Sequence, residues 1–197
     1  MAFSDFLDGL KDYSPAEVSA VVLAIAYLVL AIREHVLCWA AAFVSSLIYL
    51  FVFYSARLYT ESLLQIFYAA MAIYGYYQWK FGGEHHSRLK IGIWPLRRHA
   101  AALGAIAAAT ASIGWLMSHT DAAFPYADAF TTSAAIVTTY MVARKVLENW
   151  LYWFVIDSVS VVLYLARGLE LTALLFVLYL LLIVVGMHRW WHEWRSA

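Results

Sequence analysis

Asp157 ends the stretch Glu148 to Asp157, ENWLYWFVID, in one of the most apolar parts of the chain. A charge held deep in a bilayer costs at least ~2.5–3.5 kcal/mol on insertion scales, so such a group faces a cavity or a partner. Two chemistries are open to it. An ionised carboxylate would attract a cation, whereas a protonated or hydrogen-bonded acid would join helices. Trp150, Trp153, Asp157, Ser160 and Tyr164 recur every three or four residues, which lays them along one helical face, aromatic at one end and acidic in the middle.

Two other stripes carry similar side chains. Gln65, Tyr68, Ala72, Gly75, Tyr76 and Trp79 form one, and the Gln65 amide can donate and accept at once, toward a ligand or toward a neighbouring helix. Trp39, Phe43, Ser46 and Tyr49 form the other. Interfacial belt residues cluster at span ends, where Trp79, Trp190, Trp191 and Trp194 are expected. Trp153, Tyr68 and Tyr179 sit deeper, which favours a lined cavity.

Other chemistries find little footing. His188 and His192 stand four apart beside Glu193, but no third ligand accompanies them, so they read as a polar interfacial tail rather than a metal site. His85 and His86 fall in a connecting segment. No phosphate-binding glycine loop, HExxH or GxSxG pattern occurs, and Asp157 has no second acid or histidine at its depth, so the chain does not read as an enzyme. Lys11, Lys80, Lys90 and Lys145 leave the last span without a lysine for a retinal Schiff base. The single cysteine, Cys38, reads as a small core residue. No cofactor is expected.

These residues need a bilayer to position them. Of 197 residues, 64% are hydrophobic and 13% charged, too apolar for one water-soluble core of this size. The net charge is zero, which speaks against a basic nucleic-acid surface. Near the start, Asp5, Asp8 and Asp12 against Lys11 oppose a secretory leader, while Phe3, Phe6, Leu7 and Leu10 share one helical face. Residues 1–15 are therefore expected as an interfacial segment.

A spanning helix needs about 20 apolar residues. Seven segments qualify: 16–32, 36–55, 60–79, 99–117, 126–143, 148–166 and 170–189. With the N-terminus outside, the inner side holds Arg33, Lys80, Arg88, Lys90, Arg97, Arg98, Arg144, Lys145, Arg189 and Arg195, leaving Lys11, Arg57 and Arg167 outside. That asymmetry predicts a cytoplasmic C-terminus.

The chain also repeats itself. Arg33 falls on Arg144, Trp39 on Trp150, Phe43 on Phe154, Ser46 on Asp157, Tyr68 on Tyr179, Gly75 on Gly186 and Trp79 on Trp190, all in one constant register. Arg57 matches Arg167 only after a one-residue gap. Two three-helix units of like orientation need one extra crossing between them, because three crossings end on the wrong side. The expected fold is thus an all-α membrane protein of seven transmembrane helices in a 3+1+3 arrangement with parallel repeats. Its parts would be a first unit at 16–79, a cytoplasmic linker at 80–98, an inverting helix at 99–117, a second unit at 126–190 and a tail at 191–197.

Together, ENWLYWFVID, the stretch ARLYTESLLQ and the stretch YGYYQW resemble the nicotinamide riboside transporter family, PnuC, over nearly the whole chain after about residue 16. The resemblance implies a SWEET-like bundle in the bacterial inner membrane that takes up a vitamin precursor by facilitated diffusion. Alternating access would move the substrate, and a cytosolic kinase would trap it. Relatives carry thiamine or riboflavin instead. By the same resemblance the substrate site falls on Trp39, Gln65, Tyr68, Asn149, Trp150, Trp153, Asp157 and Tyr179. A cationic pyridinium or thiazolium would suit their aromatic faces, at about 0.5–2 kcal/mol per contact. The resemblance also admits a homo-oligomer. A seven-helix receptor without catalysis is the alternative of another class.

Overall fold

A computed structural model describes residues 15–55, 57 and 59–196, so the expected interfacial segment lies outside the described residues save for Pro15. Among the described residues seven α-helices follow one another: α1 Pro15–Ile32, α2 Cys38–Ser55, α3 Tyr59–Phe81, α4 Leu96–Met117, α5 Pro125–Ala143, α6 Asn149–Ala166 and α7 Glu170–Ser196. The α-carbons divide into two units, residues 1–89 and 90–197.

In the first unit, α1 packs on α2 and α2 on α3. Serines fasten both contacts: the Ser45 hydroxyl donates to the Ala20 carbonyl at 3.0 Å, and the Ser62 hydroxyl to the Leu50 carbonyl at 3.0 Å. In the second unit α4, α5, α6 and α7 pack in sequence order. Ala129, Ser133, Ala134, Ala135, Thr138 and Thr139 fill the buried face of α5, because small side chains let helices approach closely. Thr138 and Thr139 return their hydroxyls to carbonyls one turn back, at 2.7 Å each, so burial leaves neither hydroxyl unbonded.

Large apolar side chains lie on the outside. Leu63, Leu103, Trp115, Leu116, Val162 and Leu181 are all exposed, an inversion that water would penalise and lipid tails do not. By length and apolarity α2, α4, α6 and Thr172–Ser196 of α7 can each cross a membrane, and Val18–Ile32 is a shorter apolar helix. This is a multi-pass membrane protein.

Helix ends reveal a repeat in the backbone itself. After α1, Glu34 takes a left-handed conformation (φ 52°); its N–H bonds to the Ala31 carbonyl, and the His35 N–H to the Leu30 carbonyl. This pair of bonds is a Schellman stop. After α5, Lys145 takes φ 50° and the same bonds run from Lys145 to Val142 and from Val146 to Met141, every partner in the register that pairs Trp39 with Trp150. Beyond α2, Arg57 (φ 60°) donates to Tyr54; beyond α6, Gly168 (φ 71°) donates to Leu165. The backbone partner of Arg57 is thus Gly168, and no gap is needed. The expected match to Arg167 followed side-chain likeness, whereas the turn geometry follows position.

Two other expectations change. The last helix runs through Ser196 rather than ending near residue 189. Its 27 residues rise about 40 Å, longer than the ~30 Å hydrocarbon core. The segment after α3 is not a plain linker. Its second half forms a strap on the α5–α6 turn: the Gly92 N–H bonds to the Lys145 carbonyl at 3.0 Å, and the Leu147 N–H to the Gly92 carbonyl at 2.8 Å.

Candidate functional site

Three of the eight candidate residues fall in the first unit. Trp39, at the start of α2, is 2% exposed. Its ring fills the notch left by Gly75 on α3, where a Cβ would collide with the indole, and meets Trp79 edge-on at 5.5 Å and 87°. Tyr27 of α1 lies against the same indole at 5.9 Å. Gln65 and Tyr68 are half-buried on α3, with Tyr68 edge-on to Phe67 at 5.5 Å.

The other five lie in the second unit. Trp150 is 2% exposed and fills the notch of Gly186, where a Cβ would fall 2.5–2.8 Å from three ring carbons. It meets Trp190 edge-on at 5.3 Å and 89°. The arrangement duplicates that of Trp39, Gly75 and Trp79 to within a few tenths of an ångström and a few degrees. Trp79 and Trp190 are therefore buried ring partners, not belt residues at the lipid surface as their place in the sequence suggested. A belt position and a buried one look alike in sequence, because both lie near a span end.

Both notch indoles keep an unsatisfied donor. Trp39 Nε1 and Trp150 Nε1 are buried without an acceptor, and the side-chain carbonyl oxygen of Asn149 is buried without a donor, while its amide nitrogen donates to the Val146 carbonyl at 2.6 Å. Buried polar atoms are nearly always paired, so these three atoms keep hydrogen-bonding capacity that no protein group among the described residues uses. Asn149 stands where the first unit has Cys38 in the same register. The two polar groups of Asn149 and Trp150 are thus consecutive at the head of α6.

Asp157, two turns on, is 4% exposed, and among the described residues it has no hydrogen-bond or ion-pair partner. Ser160 one turn later does not serve it, since that hydroxyl donates to the Ile156 carbonyl. Trp153 is half-buried and packs with Phe130, Val137 and Tyr152 against Ile106, Ala134 and Ile156. Its neighbour on the stripe, Trp150, reaches α7, so one helical face serves two packing partners. Tyr179 is half-buried and edge-on to Phe176 at 5.6 Å, with Tyr164 stacked on Phe176 at 5.1 Å.

A further polar cluster escaped the sequence reading. His99 in the first turns of α4 faces the Tyr152 hydroxyl at 2.9 Å through Nδ1 and Glu148 at 3.5 Å through Nε2. The second Glu148 oxygen accepts the Trp94 N–H at 3.4 Å. Glu148 and Tyr152 are four apart on one helix edge, a spacing that signals a shared partner, but nothing local names His99 as that partner. Among the described residues no group of three or more His, Cys, Asp or Glu could hold a metal.

Comparison with known proteins adds the context of relatives. Residues 14–192 match the sequence model of the nicotinamide mononucleotide transporter family. The riboflavin/roseoflavin transporter RibM of Streptomyces davaonensis is 30% identical over 177 residues, covering 86% of this chain and 81% of RibM. The nicotinamide riboside transporter PnuC of Escherichia coli is 26% identical over 174 residues, covering 74% of this chain and 72% of the relative. A crystal structure of the vitamin B3 transporter PnuC matches 90% of this chain and 81% of its own with a TM-score of 0.71, at 20% identity. That likeness speaks to the fold.

Proposed function

Because this chain belongs to the nicotinamide mononucleotide transporter family, we propose that it carries nicotinamide riboside across the bacterial inner membrane by facilitated diffusion. The observation that carries the substrate assignment is Asp157, a buried acid with no polar partner among the described residues, on the same helix as Trp150 and Trp153. A cationic pyridinium would supply the missing charge, and aromatic faces would add cation–π contacts of about 0.5–2 kcal/mol each. The orphaned Asn149 carbonyl and Trp150 indole N–H would read the carboxamide or ribose. Gln65, Tyr68, Tyr179 and Trp39 complete the proposed set.

The transport cycle is alternating access on a 3+1+3 plan, with α4 as the inverting helix. The plan is supported by the Schellman stops and indole notches that recur in a single register. The N-terminus faces outward, a reading supported by the ten basic residues that fall on the opposite side. A cytosolic kinase would hold the product inside, so net uptake needs no coupling ion. A homo-oligomer fits the same reading.

Riboflavin is the second reading, favoured by the 30% identity to RibM. An uncharged isoalloxazine would stack on the same rings but leave Asp157 without a counter-charge. Uptake into liposomes that carry the purified protein separates them. Radiolabelled nicotinamide riboside should enter and equilibrate, with excess unlabelled compound competing. Uptake of riboflavin or thiamine in its place would reassign the substrate, and binding without flux would make the protein a receptor.

A further inference from the structure

A cavity lies in the second unit, away from Asp157 along the chain. It measures about 380 Å³ and is lined by Trp94, Arg98, Ala101, Ala102, Val137, Tyr140 and Arg144. From these residues we infer a site for the headgroup of an anionic phospholipid, held where α4 begins and α5 ends.

The lining has two layers. Arg98 lies in the first turn of α4 and Arg144 caps the C-terminus of α5, so both guanidinium groups belong to the same membrane face. Arg98 is exposed and, among the described residues, forms no ion pair. A phosphodiester carries one negative charge on oxygens that match the planar donor fork of arginine. Trp94 and Tyr140, whose rings lie 6.4 Å apart, supply the amphipathic aromatic groups that favour the headgroup level.

Ala101, Ala102 and Val137 lie about one to two turns deeper and are apolar. Free phosphate would gain nothing from them, whereas the glycerol and first acyl carbons of a lipid would cover them. Nearby acidity does not oppose the site. Glu148 already turns one oxygen to the Trp94 N–H and the other to His99. Lys90, Arg97 and Lys145 lie on the same side, so the surrounding field also attracts anionic lipid.

Native mass spectrometry of the full chain in detergent tests the assignment, with phosphatidylglycerol, phosphatidylcholine and inorganic phosphate as probes. The wild-type protein should retain phosphatidylglycerol about tenfold or more over phosphatidylcholine, and the R98Q/R144Q double variant should lose that preference. A101F narrows the cavity while keeping both arginines, and it should weaken retention as well; Ala101 is exposed, so folding is spared. Equal retention of the two lipids overturns the site, as does an R98Q/R144Q or A101F protein that still prefers phosphatidylglycerol. Displacement of the lipid by millimolar inorganic phosphate would overturn the lipid assignment and make the pocket a phosphate site.

Discussion

Trp150 seats the edge of its indole against Gly186, and the ring then stands perpendicular to Trp190, four residues farther along α7. Trp39, Gly75 and Trp79 do the same between α2 and α3. Each notch exists because a residue without a Cβ lets a large ring approach the helix backbone. Gly75→Ala and Gly186→Ala should each destabilise the protein by about 1–3 kcal/mol, since neither indole has room to retreat in a buried site. Gly104→Ala is the control. No atom lies within 4 Å of a Cβ there, and alanine is the better helix former by about 1 kcal/mol. Thermal unfolding in detergent should place both notch variants below wild type and the control at or above it, and a G186A protein as stable as wild type would contradict the notch.

Much of this arrangement was legible beforehand because it depends on position. One constant register pairs Trp39 with Trp150, Gly75 with Gly186 and Trp79 with Trp190, and apart from the end of the last helix the helix bounds followed apolar run length to within about three residues. What could not be read were contacts made across the fold. Nothing local distinguishes a tryptophan in a lipid belt from one buried against a glycine. The strap at Gly92 was hidden for a related reason: a bridge of two backbone bonds leaves no side-chain signature. His99 joins Glu148 and Tyr152 from a distant part of the chain, beyond the reach of any helical spacing. For the proposed substrate site, residue types pointed to Asp157 and its neighbours, while the orphaned atoms of Asn149 and Trp150 required coordinates.

Gly168 ends α6 in the left-handed region, and its N–H and that of Leu169 close the Schellman pair onto Leu165 and Tyr164. An L side chain at this φ costs about 1–2 kcal/mol. Gly168→Ala should therefore lower stability by about 1 kcal/mol even though a Cβ would meet no atom within 4 Å. Denaturation in detergent checks this, and a neutral substitution would mean that the turn relaxes.

The strap that begins the second unit has two kinds of attachment. Gly92 is held by backbone bonds to the α5–α6 turn, and the Trp94 N–H by the Glu148 carboxylate. Glu148→Ala should remove about 1 kcal/mol from the second attachment, a modest value suited to a 3.4 Å bond, and speed exchange of the Trp94 amide about fivefold. The Gly92 amide should change less. Hydrogen exchange by mass spectrometry reads both, and equal acceleration at the two amides would show that the strap opens as one piece.

Asp157 offers the most direct test of transport chemistry. Its first-unit counterpart is Ser46, which is also buried, so the fold at this position tolerates an uncharged polar side chain. Asp157→Asn keeps the shape and removes the capacity for charge, and it should leave the protein folded because among the described residues no partner is stranded by the change. A charge-assisted contact to a cationic substrate is worth about 1.5–3 kcal/mol, so affinity for nicotinamide riboside should fall about tenfold to a hundredfold. An uncharged nicotinamide analogue of the same shape should lose little. Calorimetric titration of wild-type and D157N protein with both compounds gives the comparison. Equal losses for the charged and uncharged compounds would assign Asp157 to the shape of the site, and unchanged affinity for both would assign it to helix packing alone.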